Sequence, residues 1–138
     1  MRRYIQIGNT KYYFRTRRVV HRKKKGTSKN YLKYKETARE IATSRLEYFN
    51  NFYGFKYNRI AIRDQKTRWG SCSKKGNLNF NYKIALISEK ARDYIIVHEL
   101  CHLGEFNHSR NFWNLVAKTV PNYLEIRRSL RKIGHTLN

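Results

Sequence analysis

His98-Glu99-Leu100-Cys101-His102 is the stretch on which the reading of this chain turns. Ser88 can cap a helix ahead of it, Glu89 follows in the first turn, and Gly104 stands after Leu103. The spacing therefore predicts a helix from about residue 88 to 103. Residues four apart share one helical face, so His98 and His102 can reach a single metal ion. Glu99 is rotated by about 100° from His98, close enough to touch a water on that ion without being a ligand. Ile96, Val97, Leu100 and Leu103 fall away from the two histidines and are expected to face a core. Cys101 lies between the two faces and is read as a small buried residue in preference to an extra ligand.

A catalytic zinc takes three protein ligands and keeps one position open. His108, Glu125 and His135 are the candidates for the third ligand. His108 is preferred because it follows His102 by six residues, just past Gly104, where a turn can return it to the metal. Glu125 belongs to a later helix, and His135 lies near the end of the chain. Three neutral imidazoles leave zinc a net positive charge, which lowers the pKa of a bound water towards about 7. Glu99 is then the general base, taking the water's proton and passing it to the leaving group. This implies a hydrolase using one Zn2+ per chain.

Upstream of the motif the pattern changes from helical to alternating. Arg59–Arg63, Thr67–Cys72 and Asn77–Asn81 read as short strands, the last with Leu78 and Phe80 on one face and three asparagines on the other. Ser73-Lys74-Lys75-Gly76 is the turn between the last two. Before these, a helix from about Tyr31 to Tyr53 is marked by Ala38, Ile41, Ala42, Leu46, Phe49 and Phe52, with Gly54 placed to end it. Residues 4–20 read as a hairpin turning at Gly8-Asn9, and 21–30 as a basic loop. After the motif, Ser109 can cap a short helix and Pro121 can open another ending near Gly134. Strands followed by helices argue an α+β fold, a small sheet packed against the motif helix with additional helices. We expect one domain over residues 1–138, with residues 1–30 a basic, β-rich and partly flexible lead-in.

Charge sets this sequence apart. It holds 31 Lys+Arg against nine Asp+Glu, a formal +22, and thirteen of the bases precede the first acid, Glu36. Such a field attracts phosphate backbones, so nucleic acid is a candidate partner through the basic N-terminal region, densest at Arg22–Lys25. Two cysteines, Cys72 and Cys101, are too few for a disulfide framework and fit reduced thiols. Met1-Arg2-Arg3 is followed by no apolar signal segment, and no apolar run is long enough to span a membrane. The expected location is cytoplasmic.

Several further motifs accompany the histidines: Arg68-Trp69-Gly70-Ser71-Cys72, Gly76-Asn77-Leu78-Asn79-Phe80-Asn81, Asn107-His108-Ser109 and Phe112-Trp113. With His98-Glu99-Leu100-Cys101-His102-Leu103 they resemble the YgjP-like metallopeptidase family, itself related to SprT-like and WLM zinc peptidases. The resemblance is strong over residues 58–118. It implies a zincin-like fold, metal binding by His98, His102 and His108, and a catalytic Glu99. The histidine spacing also matches the metzincin pattern, but Glu105 stands where that pattern has glycine. The only methionine is Met1, so no Met-turn exists.

Three functions follow as expectations. The first is a peptidase acting on a peptide or protein, with a variant that works on DNA-associated proteins. The second is a metal-dependent hydrolase of a phosphorylated small molecule such as a nucleotide. The third, a structural metal in a nucleic-acid-binding module, conflicts with Glu99, since a structural site more often has four protein ligands. One of the strands Thr67–Cys72 and Asn77–Asn81 could take an extended peptide by β-augmentation. Trp69, Phe112 and Trp113 are read as core aromatics, Gly70 as a point of close backbone packing, and Ser71 as a residue that could face the cleft.

Overall fold

The structure, a computed structural model, describes residues 3–7, 10–14 and 27–136. An antiparallel hairpin comes first, β1 (Arg3–Ile7) with β2 (Thr10–Phe14), in register from Arg3 opposite Phe14 to Ile7 opposite Thr10. Its expected turn, Gly8-Asn9, and the basic stretch 15–26 with Arg22–Lys25 lie outside the described residues.

Helix α1 runs over Lys29–Tyr53. The Ser28 hydroxyl accepts from the Tyr31 N–H at its start, and Gly54 ends it in the left-handed conformation at φ 66°, donating to the Asn50 carbonyl. Asn50 then clamps the exit, its side chain accepting from Phe55 N–H and donating to Phe55 C=O, both at 2.8 Å. The buried stripe is Ala38, Ala42, Leu46 and Phe49. Phe52, expected with them, is 62% exposed, and Ile41 is half-buried. At about 100° per residue, both fall on one flank of the stripe, and the two alanines keep the packed face narrow.

Three strands form a mixed sheet: β3 (Arg59–Arg63), β4 (Gly70–Cys72) and β5 (Asn77–Asn81), in the order β3-β5-β4. β3 runs parallel to β5, with Ile60 opposite Leu78, and β4 runs antiparallel to it, with Ser71 opposite Asn79. The expected strand Thr67–Cys72 is shortened to three residues. Asn81, only 3% exposed, explains why: its side-chain amide donates to the carbonyls of Gln65 (2.7 Å) and Arg68 (2.9 Å). Those carbonyls are thereby taken out of a ladder, and the segment before Gly70 becomes a held loop. A 3-10 turn, Tyr82–Leu86, follows β5.

Helix α2 (Glu89–Cys101) is the centre of the molecule, in contact with α1, β4, β5, α3 (Arg110–Ala117) and α4 (Tyr123–Thr136). Ile96, Val97, Leu100 and Cys101 have no exposed surface and pack in one core with Leu46, Leu78, Phe80 and Ile84. Arg45 of α1 and Asp93 of α2 close a two-pronged ion pair at 2.8 Å on each prong. α2 stops two residues short of the expected Leu103. Gly104, expected just after the helix, does not have positive φ. It is needed for room, since a Cβ there would stand 2.8 Å from Phe55 Cζ. The result matches the expected α+β architecture, a small mixed sheet with helices against it. None of the described helices is long and apolar enough to cross a membrane.

Candidate active site

His98 and His102 leave α2 one turn apart, as their spacing requires. The chain then turns at Cys101–Gly104, where Gly104 and Glu105 both donate to the Cys101 carbonyl, and brings His108 back over the helix end. The three Nε2 atoms converge. His98 Nε2 lies 3.2 Å from His102 Nε2 and 3.1 Å from His108 Nε2, and the three ligand atoms all fall within 4.8 Å of one another. Nitrogens at about 2.05 Å from a tetrahedral ion would be about 3.3 Å apart, close to the two separations from His98.

The protons support the same conclusion. His102 Nδ1 faces the Glu105 carbonyl at 3.1 Å, which can only accept, so Nδ1 carries the hydrogen and Nε2 a lone pair. His98 Nδ1 faces the Tyr94 hydroxyl at 3.3 Å. Burial holds the His98 imidazole down at about 3, aided by the neighbouring His102, His108 and Arg127, and burial also lowers His102. Three ring nitrogens aimed at one point, two of them on rings that burial keeps neutral, are a donor set for a cation, and these residues could hold a metal ion.

Aromatic rings fix the imidazoles in place. Phe112, fully buried, stacks under His102 with centroids 4.4 Å apart, and Trp113 lies against His108 at 5.8 Å. Phe112 is the expected core residue, but it is also the floor of the histidine cluster. Trp113 is sandwiched further by Tyr123, stacked at 4.9 Å, and by the Arg127 guanidinium at 5.0 Å.

Glu99 is 7% exposed. Burial pushes its carboxyl up to about 8, with Arg68 pulling the other way. Its place depends on Gly70 of β4: a Cβ there would meet Glu99 Cγ at 2.8 Å, Glu99 Oε1 at 2.9 Å and the Asn79 carbonyl at 2.9 Å. Gly70→Ala is therefore expected to displace the carboxylate or part β4 from β5. If Glu99 takes part in the reaction, turnover should fall about a hundredfold, as for an ångström-scale misplacement of a reacting group, with bound metal unchanged. Steady-state kinetics beside metal analysis checks this, and native turnover in the variant would show that the carboxylate's position is not set by this contact.

A cleft of about 580 Å³ opens beside His98 and Glu99, with Trp69, Tyr94, Ile95 and Leu130 on its apolar walls. Glu125 is exposed on α4 and does not line this cleft, and the His135 side chain lies outside the described residues. Cys101 is wholly buried, its thiol pushed up to about 11 by burial, as a core residue. Ser71 does not line the cleft; its hydroxyl accepts from the Asn79 side chain at 3.1 Å. Tyr94, Asn81, Arg68 and Arg127 were not foreseen as site residues. Tyr94 alone carries a local signal, standing four residues before His98 on the same helix.

A helix laid on a small mixed sheet, with three histidines beside a buried carboxylate, belongs to the class of metal-dependent peptidases, and comparison with known proteins gives the family. The chain belongs to the YgjP-like family, matching the model described as "YgjP-like, metallopeptidase domain" over residues 5–133. Among solved structures it is similar to the metallopeptidase zymogen abylysin of Pyrococcus abyssi, with 27% identity, a TM-score of 0.60, and coverage of 66% of this chain and 92% of that one. It is also similar to the metallopeptidase zymogen jannalysin of Methanocaldococcus jannaschii, with 26% identity, a TM-score of 0.54, and coverage of 69% and 94%. A search of curated protein sequences gives no match.

Proposed function

We propose that the chain is a zinc peptidase in which His98, His102 and His108 hold one zinc ion and Glu99 is the general base. The observation that carries this reading is the convergence of three Nε2 atoms, at 3.1–3.2 Å from His98 to its two partners, beside a buried carboxylate. A bound zinc supplies Lewis acidity and makes its water easier to deprotonate. Glu99 takes the proton at its carboxylate and returns it to the amine leaving group. Tyr94 and the Glu105 carbonyl orient the His98 and His102 rings through their Nδ1 atoms.

The sheet offers a place for an extended substrate. Among the described residues no strand pairs with the outer edge of β4. Asn81 donates to the Trp69 carbonyl at 2.8 Å and Ser73 to the Asn77 carbonyl at 3.0 Å. By alternation along an antiparallel ladder, Gly70 and Cys72 turn their N–H and C=O groups to the open edge. A peptide added there would run past Glu99, which lies against Gly70.

The test is cleavage of an unfolded protein substrate by purified protein. Activity should track about one zinc per chain, disappear with a chelator and return with zinc. Cleavage that survives complete metal removal would end the reading. A second reading, hydrolysis of a phosphorylated small molecule, is favoured by one observation, the Arg and Lys residues of the cleft. Cytoplasmic residence and nucleic-acid association through residues 1–35, including a tether to DNA-bound proteins, are proposals that stand on composition and charge.

A further inference from the structure

The cleft beside the histidines has a strongly one-sided charge. Of its fourteen lining residues, five are Lys or Arg (Lys66, Arg68, Lys83, Arg127 and Arg131) and one, Glu99, is acidic. Three of these cations, Arg68, Arg127 and Arg131, form no ion pair among the described residues, whereas Arg45 elsewhere is matched to Asp93 and Arg39 to Glu36. They come from two separate parts of the fold. Arg68 belongs to the loop that Asn81 holds by the Arg68 carbonyl, on the Glu99 side. Arg127 and Arg131 are one turn apart on α4, on the side of His98 and Tyr94, and Arg127 is steadied over Trp113.

Unpaired guanidiniums over apolar walls suit a ligand that is partly apolar and carries a carboxylate, because Arg matches carboxylate geometry in a two-pronged fork. Resting on the peptidase reading above, we propose that this cleft selects peptides with an acidic side chain within two residues of the scissile bond, Arg68, Arg127 and Arg131 being the specificity-determining residues. The apolar walls take the stem of the side chain and the neighbouring residue. The field of the five cations also draws acidic segments towards the cleft and disfavours basic ones.

Zinc-loaded protein should be assayed on internally quenched peptides that differ at one position, Glu, Gln or Lys, placed in turn at each site within two residues of the cleaved bond. At one site or more, the Glu peptide should exceed the Gln peptide in kcat/KM by about tenfold or more, the size of one charge-assisted hydrogen bond, and the Lys peptide should be poorest. The ratio should shrink in about 1 M salt, where screening acts over a few ångströms. Arg131→Glu should reverse the order of Glu and Lys peptides through KM. Its zinc content and melting temperature, and the milder Arg131→Gln, which should only flatten the order, guard against a folding defect. Equal cleavage of Glu, Gln and Lys peptides, or preference for Lys, overturns the proposal and leaves the peptidase reading standing. Failure to cleave any peptide, with release of phosphate from a nucleoside triphosphate, overturns both.

Discussion

Glu99→Gln should leave the fold and the bound metal intact and lower turnover by about three orders of magnitude. The amide has nearly the shape of the carboxylate and fits against Gly70, where there is no room to spare. It cannot accept the proton that attack by water releases, and removal of a positioned base costs between about 10²- and 10⁴-fold. The loss should lie in kcat, because the interaction is made only as the proton moves. A variant that turned over at a near-native rate with a full complement of metal would show that another group is the base.

The same substitution has a second, independent signature in the metal-free protein. The Glu99 carboxyl is pushed up to about 8 by burial, from an ordinary 4.5, against the opposing pull of Arg68. A group whose folded value is raised contributes stability that is fully present below pH about 4.5 and is lost as pH rises through about 8. Glutamine has no proton to lose. The stability of Glu99→Gln relative to the native chain, both metal-free, should therefore rise by a few kcal/mol between pH 4.5 and 8, at about 1.4 kcal/mol per pKa unit. Denaturant unfolding at the two pH values reads it. No change in the difference would mean that the carboxyl is not held out of water.

The other large effect is on metal binding. His108→Ala should bind zinc at least about a hundredfold more weakly, since it deletes one of three ligands. His108 is exposed, and its neighbours Trp113 and Phe112 remain packed without it, so the fold should survive. Glu125→Gln should bind zinc as the native chain does, because Glu125 is exposed on α4 and is not among the side chains that converge with the histidines. Titration against a chromogenic chelator measures all three proteins. Native affinity in His108→Ala would remove His108 from the ligand set.

What was legible in the sequence was local. Ser88 and Ser109 each cap the helix expected of them, because a cap is a contract between residues three apart, whereas Ser28, which the sequence reading places in a loop, caps α1 two residues ahead of the expected start. The histidine face of α2 follows from 3.6 residues per turn, and the return of His108 needs only a short turn. Contacts made across the fold were not legible. Asn81 reads as one of three polar residues on the outer face of a strand, yet it is buried and holds the loop that carries Arg68. Arg68 is distant in sequence from Arg127 and Arg131, and only the packing of α4 on α2 brings them to one cleft. Gly104 was read by its position after a helix, whereas its reason is the ring of Phe55. The parallel pairing of β3 with β5, around an intervening β4, likewise depends on tertiary packing that no short window contains.

In the proposed site His98, His102 and His108 together hold the metal while Glu99 stays out of its coordination shell. Anomalous diffraction at the zinc absorption edge, from crystals of protein purified with zinc, tests it most directly. The expected result is a single peak about 2.0–2.1 Å from the Nε2 atoms of all three histidines, with no fourth protein ligand and the Glu99 carboxylate outside bonding distance. A peak bonded to Glu125, His135 or Glu99 in place of His108 would contradict it.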